Sequence, residues 1–365
     1  MTVSGQPPGT FRRGVELKVF VMAQDAAQQP PPRRRARPRG PAPKTPAAYG
    51  ALDLGTNNCR LLIARPDQRE GFTVIDAFSR IVRLGEGLST SGRLSQESMD
   101  RAVSALSVCS QKLRRRNVTL SRSVATEACR RAANGRQFVE RVKRETGIVL
   151  DIIAPQEEAR LAVLGCHKLL GPGKGPAVIF DIGGGSTELV LVEPQDDLPK
   201  IRAWWSAPWG VVSLTESEGR ENLEGPDRVA AYERMRRRAR EGFARFAEWL
   251  PKDQEDIRLL GTSGTVTTLA SVYLELPAYD RRAVDGLHVP VDAMRGITSH
   301  IAEADFSGRA ALPCIGSERA DLVVAGCALL DAILDIWPAT KLGIADRGIR
   351  EGILRSLMAR DGYSL

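Results

Sequence analysis

Two segments of this 365-residue chain carry residue types suited to holding phosphate beside a divalent cation. Each is an apolar strand that ends in Asp-x-Gly, a tight turn of small polar residues, and a second apolar strand. The first runs through Asp53, Gly55, Thr56, Asn57 and Asn58; the second through Asp181, Gly183, Gly184, Gly185, Ser186 and Thr187. Glycine lets a backbone approach a ligand closely, so the N–H groups of both turns can cradle phosphoryl oxygens. A carboxylate beside such a cradle suits Mg²⁺, which keeps several of its waters and takes few protein ligands; Mn²⁺ would fit the same donors. A third glycine-rich turn, around Gly264 and Thr265 in GTSGTVTTLA, follows the strand IRLLG and opens a helix, where orphan N–H groups favour an anion.

The elements that must position these turns repeat. From Tyr49 the chain reads as three strands (GALDLG, CRLLIARP, GFTVIDAFSRIVRLG) and a helix of about five turns beginning near Ser95. The strand RSVATEA, a helix around Phe138 and Val142, the strand IVLDIIA and the helix EEARLAVLGCHKLL, closing at Gly171-Pro172, follow. The order restarts with AVIFDIG, STELVLVE and KIRAWWSA, a charged helix from about Gly225 to Leu250, the strand IRLLG and a helix from about Gly264. Residues Ala51 to Pro66 align without gaps on Ile179 to Pro194 at a constant offset of 128, which sets Asp53 over Asp181 and Arg60 over Glu188. A duplicated βββαβαβα half-domain facing itself across a cleft is the expected α/β architecture. The expected boundaries are a tail over 1–46, a first half over 47–172 and a second over 173–365, with the last helix, 347–358, packing back on the first half.

Composition narrows the partners. The net charge of +8 sits almost wholly in residues 1–46, where nine Lys or Arg face only Glu16 and Asp25. The body is nearly neutral, so a nucleic-acid footprint would have to come from the arm. Residues 23–46, rich in Pro, Gln and Arg, have no apolar periodicity and are expected to be disordered, with Met22 as an alternative start. The six cysteines form no CxxC pair and no histidine stands at metal-ligand spacing, so they are expected to be reduced thiols. The apolar stretch near Val19 to Met22 is too short for a signal peptide, and Leu322 to Trp337 carries Asp331 and Asp335, which fits an amphipathic buried helix; the expectation is a cytoplasmic protein with no membrane partner. The run Arg234 to Arg240 reads as a solvated helix face, and His167, His288 and His300 as structural.

The segments ALDLGTNNCRLLIA, FSRIVRLGEGL, VATEACRRAANGRQFVERVKRETGIVLDIIAPQEEARLA, IFDIGGGSTELVLVE, LLGTSGTVTTLA and ADRGIREGIL together resemble the exopolyphosphatase / guanosine pentaphosphatase family, from about Tyr49 to the end. The resemblance implies the duplicated actin-like ATPase (ribonuclease H-like) fold and an Mg²⁺-dependent phosphohydrolase acting on inorganic polyphosphate or guanosine penta- and tetraphosphates. By it, Glu127 is the expected catalytic base, Asp181 and Glu188 the acidic metal- or water-positioning residues, and Asp53 the first-loop carboxylate. Arg83, Arg130 and Arg347 are the expected cationic contacts to phosphate, and a homodimer is common in the family. Asn58 and Ser263 depart from the family's usual small hydroxyl and glycine. The chain resembles the short form without an HD-type domain, which implies shorter substrates or less processive action. A sensor that binds nucleotide without turnover is the alternative outside enzymes; the presence of all four carboxylates argues against it.

Overall fold

The computed structural model describes residues 47–363 except 68–70, 172, 196–197 and 252–256. The expected disordered tail and Pro172 lie outside the described residues. Strands β1 (Ala48–Leu54), β2 (Asn58–Asp67) and β3 (Gly71–Ile81) form an antiparallel meander. A one-turn helix α1 (Leu88–Ser91) and the long α2 (Gln96–Arg115) lead to β4 (Val118–Ala125); α3 (Glu127–Arg131) and α4 (Gly135–Thr146) lead to β5 (Leu150–Ile152), and α5 (Pro155–Cys166) follows. The meander then recurs as β6 (Ala177–Ile182), β7 (Thr187–Glu193) and β8 (Lys200–Ala207). After it come α6 (Val211–Glu218), α7 (Arg228–Ala247), β9 (Arg258–Thr262) and α8 (Gly264–Tyr273). The chain ends with α9 (Arg281–Val284), β10 (His288–Pro290), α10 (Val291–Glu303), α11 (Phe306–Ala311), α12 (Val323–Ile336), β11 (Lys341–Ala345) and α13 (Ile349–Arg360).

The first sheet is ordered β3-β2-β1-β4-β5 and the second β10-β11-β9-β6-β7-β8, so the two share one topology and differ by the antiparallel edge strand β10. Parallel pairing of β1 with β4 and of β6 with β9 brings the strand ends that carry the glycine turns to the same edge of each sheet. Ser95 caps α2 by accepting the Ser98 N–H at 3.1 Å, which fixes where that helix starts.

Helices α5 and α13 lie between the sheets. Ile349, Ile353, Leu354 and Met358 of α13 pack with Tyr49, Ala51, Leu62 and Val124 of the first sheet, while Ala159, Val163 and Cys166 of α5 pack with Ala177, Ile179 and Val190 of the second. Gly165 and Gly352 allow this crossing: a Cβ on Gly165 would overlap the Gly348 carbonyl, and one on Gly352 would overlap that of Leu161.

Helix α12 is buried as expected for Leu322 to Trp337: every residue from Val323 to Leu334 is buried, Asp331 included. Asp331 is accommodated by hydrogen bonds from Tyr232 Oη at 2.5 Å and Thr298 Oγ1 at 2.9 Å, which satisfy the carboxylate inside the core. All six cysteines are free and buried. Among the described residues no helix is long and apolar enough to cross a membrane.

Candidate active site

The duplication sets the geometry of the site. Within each meander the acidic residue faces a strand partner across the hairpin: Asp53 stands opposite Arg60, and Asp181 opposite Glu188. The two turns close with the same bond, Gly55 N–H to the Asn58 carbonyl at 2.9 Å and Gly183 N–H to the Ser186 carbonyl at 3.0 Å. Their carbonyls are occupied from behind. The Asn57 carbonyl accepts from Val82 N–H at 2.8 Å, and the Gly183 and Gly184 carbonyls accept from Val211 and Val212 at the start of α6, at 3.0 and 2.8 Å. Among the described residues the N–H groups of Thr56, Asn57, Gly184 and Gly185 make no hydrogen bond. Unsatisfied amides around a cavity are an anion cradle.

The turns abut. A Cβ on Gly184 would stand 3.0 Å from the Asn57 nitrogen, and one on Gly185 2.6 Å from Thr56 Oγ1 and 3.0 Å from Glu127 Cγ, so only glycine permits this approach. Between them lies a cavity of about 150 Å³ lined by both turns, by Glu127, and by Gly264 and Thr265 at the start of α8. Ser263 precedes that helix with φ 74°, a backbone conformation that favours glycine. Its hydroxyl donates to the Ile182 carbonyl at 3.1 Å and so ties the third turn to the second hairpin.

Six carboxylates line the cavity: Asp53, Glu127, Glu158, Asp181, Glu188 and Asp346. Burial raises the Asp53 carboxyl above its ordinary range despite Arg60 and Arg350. Burial pushes Asp181 up to about 6, against the lowering effect of the Ser263 hydroxyl and of Arg60. Burial, reinforced by Asp181, pushes Glu188 up to about 7, although Ser186 and Ser206 hydroxyls donate to its Oε1 at 2.7 and 2.9 Å. Glu158 is raised well above the carboxylate range, first by burial and then by Glu188. A set of carboxylates disfavoured in their charged form invites protons or a cation. Among the described residues no three Asp, Glu, His or Cys side chains form a ready-made metal cage.

Glu127 is the first residue of α3, directly after β4, where Thr126 N–H bonds the Leu54 carbonyl at 3.2 Å and so anchors it to the end of β1. Arg130 holds the Glu127 carboxylate through Nε at 3.0 Å and Nη2 at 2.5 Å. The same guanidinium reaches the Ile153 carbonyl at 2.7 Å and Glu158 at 3.2 Å.

Three sequence expectations for phosphate binding need correction, and a fourth needs narrowing. Arg130 does not line the cavity; its donors are taken by Glu127 and Glu158. Arg83 also stands outside it, 3.3 Å from Asp321 and bonded to the Glu318 carbonyl, joining the first half to the second. Thr187 is buried and turned away, donating to the Trp209 carbonyl at 2.7 Å, because alternation along β7 sends its side chain to the face opposite Glu188's. Arg347 does line the cavity, though its Nε is engaged by Asp285 at 2.6 Å.

The guanidiniums that the structure does offer are Arg60, Arg319 and Arg350. All three line the cavity, and among the described residues none is in a salt bridge. Arg60 lies against the third turn, 3.1 Å from where a Gly264 Cβ would be, and Arg319 donates to Thr268 Oγ1 at 3.2 Å. Sequence reasoning could have found Arg60 from its place over Glu188 in the duplication, and Arg350 from its place in ADRGIREGIL. Glu158 could have been found from its place in APQEEARLA, whereas Arg319 carries no local signal, since it enters the site only through the turn before α12.

The chain matches the Ppx/GppA phosphatase family over residues 62–361. It is 30% identical over 319 residues to Exopolyphosphatase 2 of Mycobacterium tuberculosis, covering 84% of this chain and 97% of that protein. It is 28% identical over 330 residues to Exopolyphosphatase 1 of Mycobacterium leprae, covering 87% and 91%. The crystal structure of the Aquifex aeolicus Ppx/GppA family member superposes with a TM-score of 0.71 at 28% identity, over 87% of this chain and 99% of that one. With its duplicated hairpins, facing carboxylates and these likenesses, the chain belongs to the Ppx/GppA phosphatase family, phosphoanhydride hydrolases built on the actin-like ATPase fold.

Proposed function

We propose that the chain is an exopolyphosphatase that removes the terminal phosphate of inorganic polyphosphate with Mg²⁺. The observation that carries this reading is the pair of opposed hairpins whose free amides face one cavity, with Glu127 in its wall. The names of the mycobacterial relatives support it. The terminal phosphoryl group would rest on the Thr56, Asn57, Gly184 and Gly185 amides, and Arg60, Arg319 and Arg350 would neutralise the chain behind it.

Hydrolysis of a phosphoanhydride demands an aligned water and charge stabilisation more than covalent work. Glu127, fixed by Arg130, orients the water and accepts its proton as the water oxygen bonds phosphorus and the bridging P–O bond breaks. Arg130 is a positioning residue. The donor set also fits a hydrated dication: Asp53 Oδ1 is buried with no hydrogen-bond partner, and Asp181 and Glu188 line the same cavity. Asp53, Asp181 and Glu188 would hold it, and when bound it would draw charge from the phosphoryl oxygens.

The apolar rim of the same cavity, Leu322, Val323 and Ile349, gives a base and ribose a surface, which favours guanosine pentaphosphate as a second substrate. The test is phosphate release from long polyphosphate, short polyphosphate, guanosine pentaphosphate and ATP, with Mg²⁺ and with a chelator. The expected outcome is release from polyphosphate that falls to background in the chelator and returns on adding Mg²⁺. Binding of polyphosphate or guanosine pentaphosphate without release from any of the four substrates would replace the enzyme by a sensor.

A further inference from the structure

The front cavity is not the only space that touches Glu127. A second, small cavity of about 10 Å³ lies behind it, and Thr56, Glu127 and Gly185 line both, so these three residues form the partition. Beyond the partition the second cavity is lined by Arg131, Ser89 and Glu216. The Arg131 side chain is 41% exposed, with Nε 3.8 Å from the Glu127 carboxylate, so the space leads from the base to solvent along a cation.

The outer end is closed by contacts between the two halves. Glu216 of α6 accepts the Gly87 N–H at 2.7 Å and the Ser89 hydroxyl. Farther along the same seam Arg220 pairs with Glu86 at 3.3 Å and Arg83 with Asp321 at 3.3 Å. All of these contacts are short side-chain bonds at partly exposed positions, which open at little cost compared with a packed core.

In-line displacement assigns the two spaces different traffic. Attacking and leaving oxygens stand on opposite sides of phosphorus, so a water held by Glu127 requires the leaving chain on the far side. Arg60, Arg319 and Arg350 are on that side, lining the front cavity and not the rear one. A long chain that stays bound therefore blocks the front, and the new orthophosphate is confined between the chain and Glu127.

We propose that orthophosphate leaves through this rear passage, gated by Glu216 against Gly87 and Ser89. The inference rests on the proposed exopolyphosphatase reading with Glu127 as base. In the chemical step the water oxygen bonds phosphorus, the bridging P–O bond breaks toward the chain, and the water proton goes to Glu127. The base is thus neutral when the anion must pass it, and Arg131 is the cation that leads the anion outward.

The test separates formation of phosphate from its appearance in solution. Acid quenching reports the first, and a fluorescent phosphate sensor the second, on long polyphosphate and on tripolyphosphate, whose remainder is short enough to leave by the front. Ser89→Trp plugs the passage from one half and Glu216→Trp from the other. Each is expected to form phosphate at the wild-type rate in the first turnover, to release it at least about ten-fold more slowly from long chains, and to release it normally from tripolyphosphate. The two variants act from different halves, so one that folds suffices. Unaltered release from long chains, or equal slowing on both substrates, would overturn the passage. Absence of quenched phosphate in the wild type would instead remove the exopolyphosphatase reading beneath it.

Discussion

Replacing Glu127 with Gln is expected to lower kcat on polyphosphate by about 10²–10⁴-fold, the range of a general base, with KM and folding nearly unchanged. Glutamine keeps the shape of the side chain and still offers Arg130 an oxygen in place of the carboxylate now bonded at 3.0 and 2.5 Å. It cannot take the proton. The backbone that carries it is secured independently, by Thr126 N–H on Leu54 and by the parallel pairing of β1 with β4. A combined measurement of steady-state rates and thermal melting separates the outcomes: loss of rate at constant melting temperature identifies the base, and loss of both identifies a structural residue.

Glu188→Gln is expected to abolish most activity while making the metal-free protein more stable at pH 8, by about 1–3 kcal/mol. Burial, with Asp181 adding to it, pushes this carboxyl up to about 7, above its ordinary 4.5. A raised acid binds more protons folded than unfolded between those two values, so its contribution to stability falls as pH rises through that window. Below about pH 4.5 both states are protonated and the variant should match the wild type. Above pH 7 the wild type holds a disfavoured charge that glutamine lacks, and the gap should be full. Chemical denaturation at pH 4.5, 6 and 8 in chelator checks this. A gap independent of pH would assign the effect to packing; destabilisation at pH 8 would contradict the electrostatic account.

Much of this site is legible in the order of residues because the hairpin is duplicated. An offset of 128 residues set Asp53 over Asp181 and Arg60 over Glu188, and the strand register places those same four residues as cross-hairpin partners. Local chemistry made that possible: an Asp-x-Gly turn between two apolar strands encodes its own geometry.

What sequence did not reveal depends on contacts over long separations. Arg319 meets the hairpins only because α12 is sunk into the second core. Arg83 and Arg130 are expected from sequence as contacts to phosphate, yet acids distant in the chain engage both, Asp321 for Arg83 and Glu158, beside the neighbouring Glu127, for Arg130. The insertion that carries α9, β10, α10 and α11 adds an edge strand to the second sheet and has no counterpart in the first, so the duplication was silent about it.

The central claim is that a water held by Glu127 attacks the terminal phosphorus of a chain held by the two hairpins. Hydrolysis of polyphosphate in ¹⁸O-labelled water tests it most directly, with mass analysis of the orthophosphate and of the shortened chains. The account predicts one ¹⁸O in each released orthophosphate, unlabelled chain ends, and chains that shorten one phosphate at a time. Label in the chain remainder, or shortening by internal cleavage, would contradict it.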